Sequence, residues 1–127
     1  MQTIYAGEDH VVDVPLPFDN INTNYSAIVG QVAYPTAATA AVVSPATAAT
    51  PGGVLTKVGS AITAEIPTTG RSRVVRFTIP QSTTSLATIA LNTPGELQIK
   101  LTRIAGHPEG AGISYLMFPL GQIVKPL

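Results

Sequence analysis

His10 and Asp13, His107 and Glu109, Glu65 and Glu96, and Arg71, Arg73 and Arg76 are the residues of this chain whose type and spacing could do chemistry. His10 and Asp13 stand three apart, so on a strand they point to opposite faces and make a poor metal pair. His107 lies beside Glu109 in a Gly-rich stretch, but joining both histidines to one metal needs a third ligand that the sequence does not mark. Glu65 and Glu96 supply the carboxylate pair that glycoside hydrolysis uses. Both alternate outward on predicted strands as solvated positions, with no cleft marked between them. No Gly-x-Ser-x-Gly elbow presents a nucleophilic serine. Gly52-Gly53 precedes a strand rather than a helix, so it is not a phosphate loop. Arg73 and Arg76 fall on opposite faces of one strand, which suits salt bridges at a strand end or a subunit contact better than a nucleic-acid stripe. The chain has no cysteine, so thiolate catalysis, disulfides and Cys-ligated metals are excluded. The expectation is no catalytic, cofactor-binding or metal-binding residue, no cofactor, and no enzyme activity.

The charge balance narrows the partners. Seven basic and seven acidic side chains in 127 residues give no net charge. Nucleic acid and anionic membranes both ask for a basic face, so neither is expected as a partner. Residues 1–9 carry no basic and apolar leader, so no secretory signal is expected. No stretch has about 18 uninterrupted apolar residues, so no membrane helix is expected either. Charged residues make up 11% of the chain, whereas a soluble monomer covers itself with roughly a quarter to a third. Either Thr, Ser, Asn and Gln solvate this surface, or other subunits cover it.

The elements that must position these residues are short. Eleven Gly and eleven Pro leave little room for helices, because Pro inside one costs about 3 kcal/mol and Gly about 1. Short runs rich in Val, Ile and Thr that end at Gly, Pro or Asn read as strands. Strands are predicted over His10–Leu16, Tyr25–Tyr34, Val54–Val58, Ala61–Ile66, Arg73–Ile79 and Glu96–Arg103. A last long strand is predicted over Ile113–Val124, bent at Pro119 or Gly121. Gly30 marks a bulge or a close backbone approach. Gly59-Ser60 reads as a hairpin-type turn. Phe18–Asn24 and Pro67–Gly70 read as turns, and Ala105–Gly112 as a hairpin loop. Gln81–Ala90 is the one helix expected, two turns at most, with Ser82 as its cap. The segment 35–53 is uncharged and rich in Ala, Thr and Pro. It reads as a surface arm, an inserted hairpin or a contact loop. Together these predict one domain over 1–127: an all-β antiparallel β-sandwich of about seven strands with one short helix and a long Ala/Thr/Pro-rich loop.

The order of the second half carries a resemblance. The strand Arg73-Val74-Val75-Arg76-Phe77-Thr78-Ile79-Pro80 is followed by Gln81-Ser82-Thr83-Thr84-Ser85-Leu86. Then come Pro94-Gly95-Glu96-Leu97-Gln98-Ile99-Lys100-Leu101-Thr102, a Gly-rich turn, and the closing Gly121-Gln122-Ile123-Val124-Lys125-Pro126. With Gly30-Gln31-Val32 upstream, this resembles the immunoglobulin-like β-sandwich modules of tailed-bacteriophage tail, baseplate and fibre proteins, from about Val11 to Pro126. Leu97-Gln98 stands where such modules carry a Tyr-Asp pair, and 35–53 is longer than their usual link. The resemblance implies a virion structural protein, assembled in the host cytoplasm, whose partners are other virion proteins and further copies of itself in a trimer or ring. A capsid decoration or head-fibre protein differs only in location. A carbohydrate-binding module would want exposed aromatic platforms, and the chain offers no Trp and only Tyr5, Tyr25, Tyr34 and Tyr115.

Overall fold

Alternation of apolar and polar side chains builds the strands of this protein, and a computed structural model describes residues 3–17, 24–36, 55–65 and 73–126. In β2 (His10–Pro15) every second residue is buried, and β6 (Val74–Ile79) repeats the pattern with Val75, Phe77 and Ile79 inward. The two pair antiparallel over six residues, from His10 opposite Ile79 to Pro15 opposite Val74. β3 (Tyr25–Pro35) and β7 (Gly95–Arg103) pair antiparallel, and β8 (Gly112–Leu120) lies antiparallel against the far side of β7. Val12, Val14, Val75 and Phe77 from the first pair share one core with Ile28, Val32, Tyr34, Leu97, Ile99 and Leu101 from the second. The fold is all-β, with antiparallel sheets and little helix.

Gly30 is a close approach, not a bulge. A methyl group there would sit 2.8 Å from Phe77 Cε1 and 3.1 Å from Leu97 Cδ1, so the Phe77 ring occupies the space a side chain would take. The register shift in β3 falls earlier, between Tyr25 and Ala27.

Gly59-Ser60 does not turn a hairpin. β4 (Leu55–Lys57) and β5 (Ile62–Thr63) do not pair with each other; both lie antiparallel along the same edge of β3. They are two pieces of one interrupted edge strand. Val58 N–H donates to the Val32 carbonyl at 2.9 Å and Ala64 N–H to Ile28 at 3.1 Å. Across the gap, Gln31 Nε2 donates to the carbonyls of Val58 and Gly59, both at 3.1 Å. Gly59 takes φ +73°, and a Cβ there would collide with the Thr83 hydroxyl, so the interruption is packed under the helix. Beyond β5, Glu65 exchanges backbone bonds with Arg76 and so reaches β6.

The helix is shorter than the two turns expected within Gln81–Ala90. It covers only α1 (Gln81–Thr84), and turns carry the chain on to Ile89. Ser82 does not cap it. The carboxylate of Asp9 accepts the Gln81 N–H at 2.8 Å, while Thr84 Oγ1 donates to the Glu8 carbonyl at 2.8 Å. The run of Thr and Ser favours such side-chain bonds over continued helix. At the far end Gly121-Gln122 breaks the long final strand, and β9 (Ile123–Val124) pairs in parallel with β1 (Ile4–Tyr5), a two-residue strand not expected from the sequence. From residue 37 to 53, the Ala/Thr/Pro-rich segment lies outside the described residues, as do the turn residues 18–23 and 67–70 and Arg71.

Candidate assembly surface

The residues that could do chemistry are spread by the fold into structural roles. His10 faces the interior and Asp13 the solvent. Burial pushes the His10 imidazole below its ordinary range, partly opposed by the Glu8 carboxylate. Asp13 sits directly across from Arg76 and accepts its guanidinium at 3.0 Å, an interaction that holds the carboxyl below its usual range. Arg73 donates instead to the carbonyls of Leu16 (3.3 Å) and Pro17 (2.8 Å). Arg76 thus makes its salt bridge within the β2–β6 ladder, not at a strand end, and Arg73 makes backbone bonds instead of the expected salt bridge.

His107 is buried and shapes the loop between β7 and β8. Its Nδ1 accepts the Glu109 N–H at 3.0 Å, and its ring meets Tyr25 edge-on at 5.1 Å. Arg103, which the sequence reading passed over, closes the same loop by donating to the Gly110 carbonyl at 3.0 Å and to the Ser114 hydroxyl. Glu96 accepts Gln98 Nε2 at 2.8 Å on β7, while Glu65 pairs along its backbone with Arg76, so the two carboxylates serve different strands. No group of three or more His, Asp or Glu close enough to hold a metal exists among the described residues. No helix among them is long and apolar enough to cross a membrane.

What the fold does present is an edge. Among the described residues, β8 is the last strand of its sheet, paired on one side with β7 over nine residues. Its sequence, Gly-Ile-Ser-Tyr-Leu-Met-Phe-Pro-Leu, contains no charge. Leu116 and Phe118 lean onto the core, while Ile113, Tyr115 and Met117 stand on the opposite face with 50%, 72% and 63% of their surface exposed.

The direction of the backbone groups follows from the ladder. The carbonyls of Ile28 and Val32 point to β4 and β5, so the alternate residues of β3 (Val29, Gln31, Ala33) bond to β7. Their partners on β7 are Lys100, Gln98 and Glu96, which leaves Leu97, Ile99 and Leu101 to bond with Phe118, Leu116 and Ser114. The N–H and C=O of Ile113, Tyr115 and Met117 therefore point away from β7, toward the open side. Pro119 belongs to the same set, and its missing N–H costs the β7–β8 ladder nothing. Among the described residues, one row thus offers apolar side chains on a face and peptide groups without a strand partner on an edge.

Two concavities flank the row. A groove of about 240 Å³ runs between His10–Asp13 of β2 and Phe118–Gly121 at the end of β8. On the outer face, Tyr115 and Met117 line a shallow depression with Glu96 and Gln98. Sequence alternation contained the signal for the row: Ile113, Tyr115, Met117 and Pro119 are the odd set of one strand, but nothing in the sequence says that β8 is an edge.

No family model matches the chain, and no curated protein or solved structure matches it.

Proposed function

We propose that the chain is an immunoglobulin-like β-sandwich that serves as a non-enzymatic structural component of a bacteriophage virion, in the tail, baseplate or fibre, and acts by protein–protein assembly. The strand order supports the sandwich. β2 with β6, and the broken edge strand with β3, β7 and β8, follow the B–E and C′–C–F–G pairing of immunoglobulin variable-type domains. The helical turn α1 connects the strands in the E and F places.

The observation that carries the assembly reading is β8. A nine-residue, charge-free edge strand with three apolar side chains in solvent is a liability for a free monomer and an asset for a subunit. The low overall charge agrees, because a subunit surface covered by neighbours needs no charged coat. The virion itself is proposed on the strand order that resembles phage modules.

Antibody labelling of particles released from cells that encode the chain tests the reading. Label on tails or baseplates is expected, label on heads would move the protein to a decoration or head-fibre role, and label confined to the soluble fraction would overturn the virion reading.

One observation favours a second reading. Tyr115 is the most exposed aromatic described, and Gln98 and Glu96 beside it supply the polar groups that a sugar-binding platform combines with a ring. Binding on a glycan array that disappears in Tyr115→Ala would support a carbohydrate-binding module; an array without hits would remove it.

A further inference from the structure

We propose that the occupant of the β8 edge is β8 of a second copy of this chain, joined antiparallel about a two-fold axis at Leu116, so that the two larger sheets become one continuous sheet. The inference deepens the assembly reading, on which it rests, by naming the edge, the partner and the register.

The open peptide groups of Ile113, Tyr115 and Met117 ask for an extended strand, since only a strand matches alternating donors and acceptors along an edge. The other edges among the described residues are blunted. The β4/β5 edge is broken into pieces of three and two residues and carries Lys57. β2 carries Asp13 and Pro15, β6 carries Arg76, and β1 and β9 are two residues long. Short pieces, charges and prolines are the devices that keep edges from pairing. β8 has only Pro119, near its end. A head-to-tail contact of β8 with the β4/β5 edge would meet the interruption at Gly59-Ser60, so among the described edges the uninterrupted pairing is β8 with itself.

Full overlap of Gly112–Leu120 with its mate puts the axis at the midpoint, Leu116. Tyr115 then lies opposite Met117 of the second copy and Ile113 opposite its Pro119. Tyr115 and Met117 exchange four peptide bonds across the axis, and Ile113 adds one to each Pro119 carbonyl, making six. No charged residue of either β8 opposes another. Lys100 and Glu96 lie one strand back, beside Tyr115 and Pro119. The three outward side chains offer roughly 350 Å² of apolar surface per copy. These side chains stand out of the sheet face, so edge pairing covers only their flanks, and the interface falls at the small end of the specific range, near or below about 1,000 Å². The dimer is therefore expected to be reversible and insensitive to ionic strength, because no ion pair holds it.

Sedimentation of the full chain over a range of concentrations tests this. A reversible dimer is expected, weakened about tenfold or more in Met117→Lys, with an unchanged circular dichroism spectrum because Met117 is exposed. Cross-linking fixes the register, since the chain has no cysteine of its own. Leu116→Cys should oxidise to a covalent dimer with its own mate, and Ile113→Cys, far from its mate, should not. Cross-linking through Tyr115→Cys instead would overturn the register. A wild-type chain that stays monomeric at millimolar concentration, or a dimer untouched by Met117→Lys, would overturn the β8 pairing. A monomer that still labels particles would leave the assembly reading standing, and a β8 dimer that never labels them would do the reverse.

Discussion

Single atoms decide the fit of this core. The Phe77 ring fills the place where Gly30 lacks a side chain, with Leu97 Cδ1 behind it. Gly30→Ala forces the ring or the strand aside, and overpacking of this kind costs about 1–3 kcal/mol. A urea midpoint lowered accordingly checks it; an unchanged midpoint would mean that Phe77 has room to move. His10 offers a different test. Its native pKa is depressed by burial below the ordinary 6.5, so the unfolded chain takes up the proton first as pH falls. The contribution is intact above about pH 6.5 and is lost on acidification through that value. The melting temperature should therefore drop between about pH 7.5 and about pH 5.5, and His10→Gln should flatten that slope. Asp13 is also depressed, but its contribution is lost only on acidification around and below its ordinary 3.8, outside this window.

Strands show how much the sequence could say. The runs at His10, Arg73 and Glu96 alternate over six or more residues and bury every second residue as the pattern predicts, and all four strands, with the one at Tyr25, end within a residue of their expected bounds. Period-two burial is a local property, so local sequence records it. Partner choice is not local. Gly59-Ser60 has the composition of a hairpin turn, yet β4 and β5 both prefer the free edge of β3, where Gln31 bridges their gap. β1 has two residues, too few for any period, and its partner lies at the other end of the chain. Asp9 caps a helix that begins 72 residues later, which no window around Ser82 could reveal. The functional row was half legible for the same reason: its alternation was visible, its place at a sheet edge was not. Gln31→Ala tests the bridge. Amide hydrogen exchange at Val58 and Ala64 should speed up, while the β7–β8 ladder keeps its protection.

Across the whole molecule, protection is uneven. One side of the larger sheet ends in a broken strand with a lysine, the other in nine uncharged residues. Such asymmetry points association toward one side and makes it closed, since an isologous pair uses up the edge it joins. A trimer or ring would need a second, different contact in addition. The dimer population should survive molar sodium chloride, as sedimentation in high salt can check, because the contact is made of peptide groups and apolar side chains.

The parallel pairing of β1 with β9 has a mechanical consequence. Ile4 N–H bonds to the Gln122 carbonyl and Ala6 N–H to Val124, so the start of the described chain is tied to its end. Tension on the chain before residue 4 and after residue 124 pulls two parallel strands in opposite directions along their length. The bonds between them then lie across the pull and are loaded together in shear, rather than opened one by one like a zip. A load passing through the subunit would meet this clamp first, at Ile4 and Ile123 on the rim of the core.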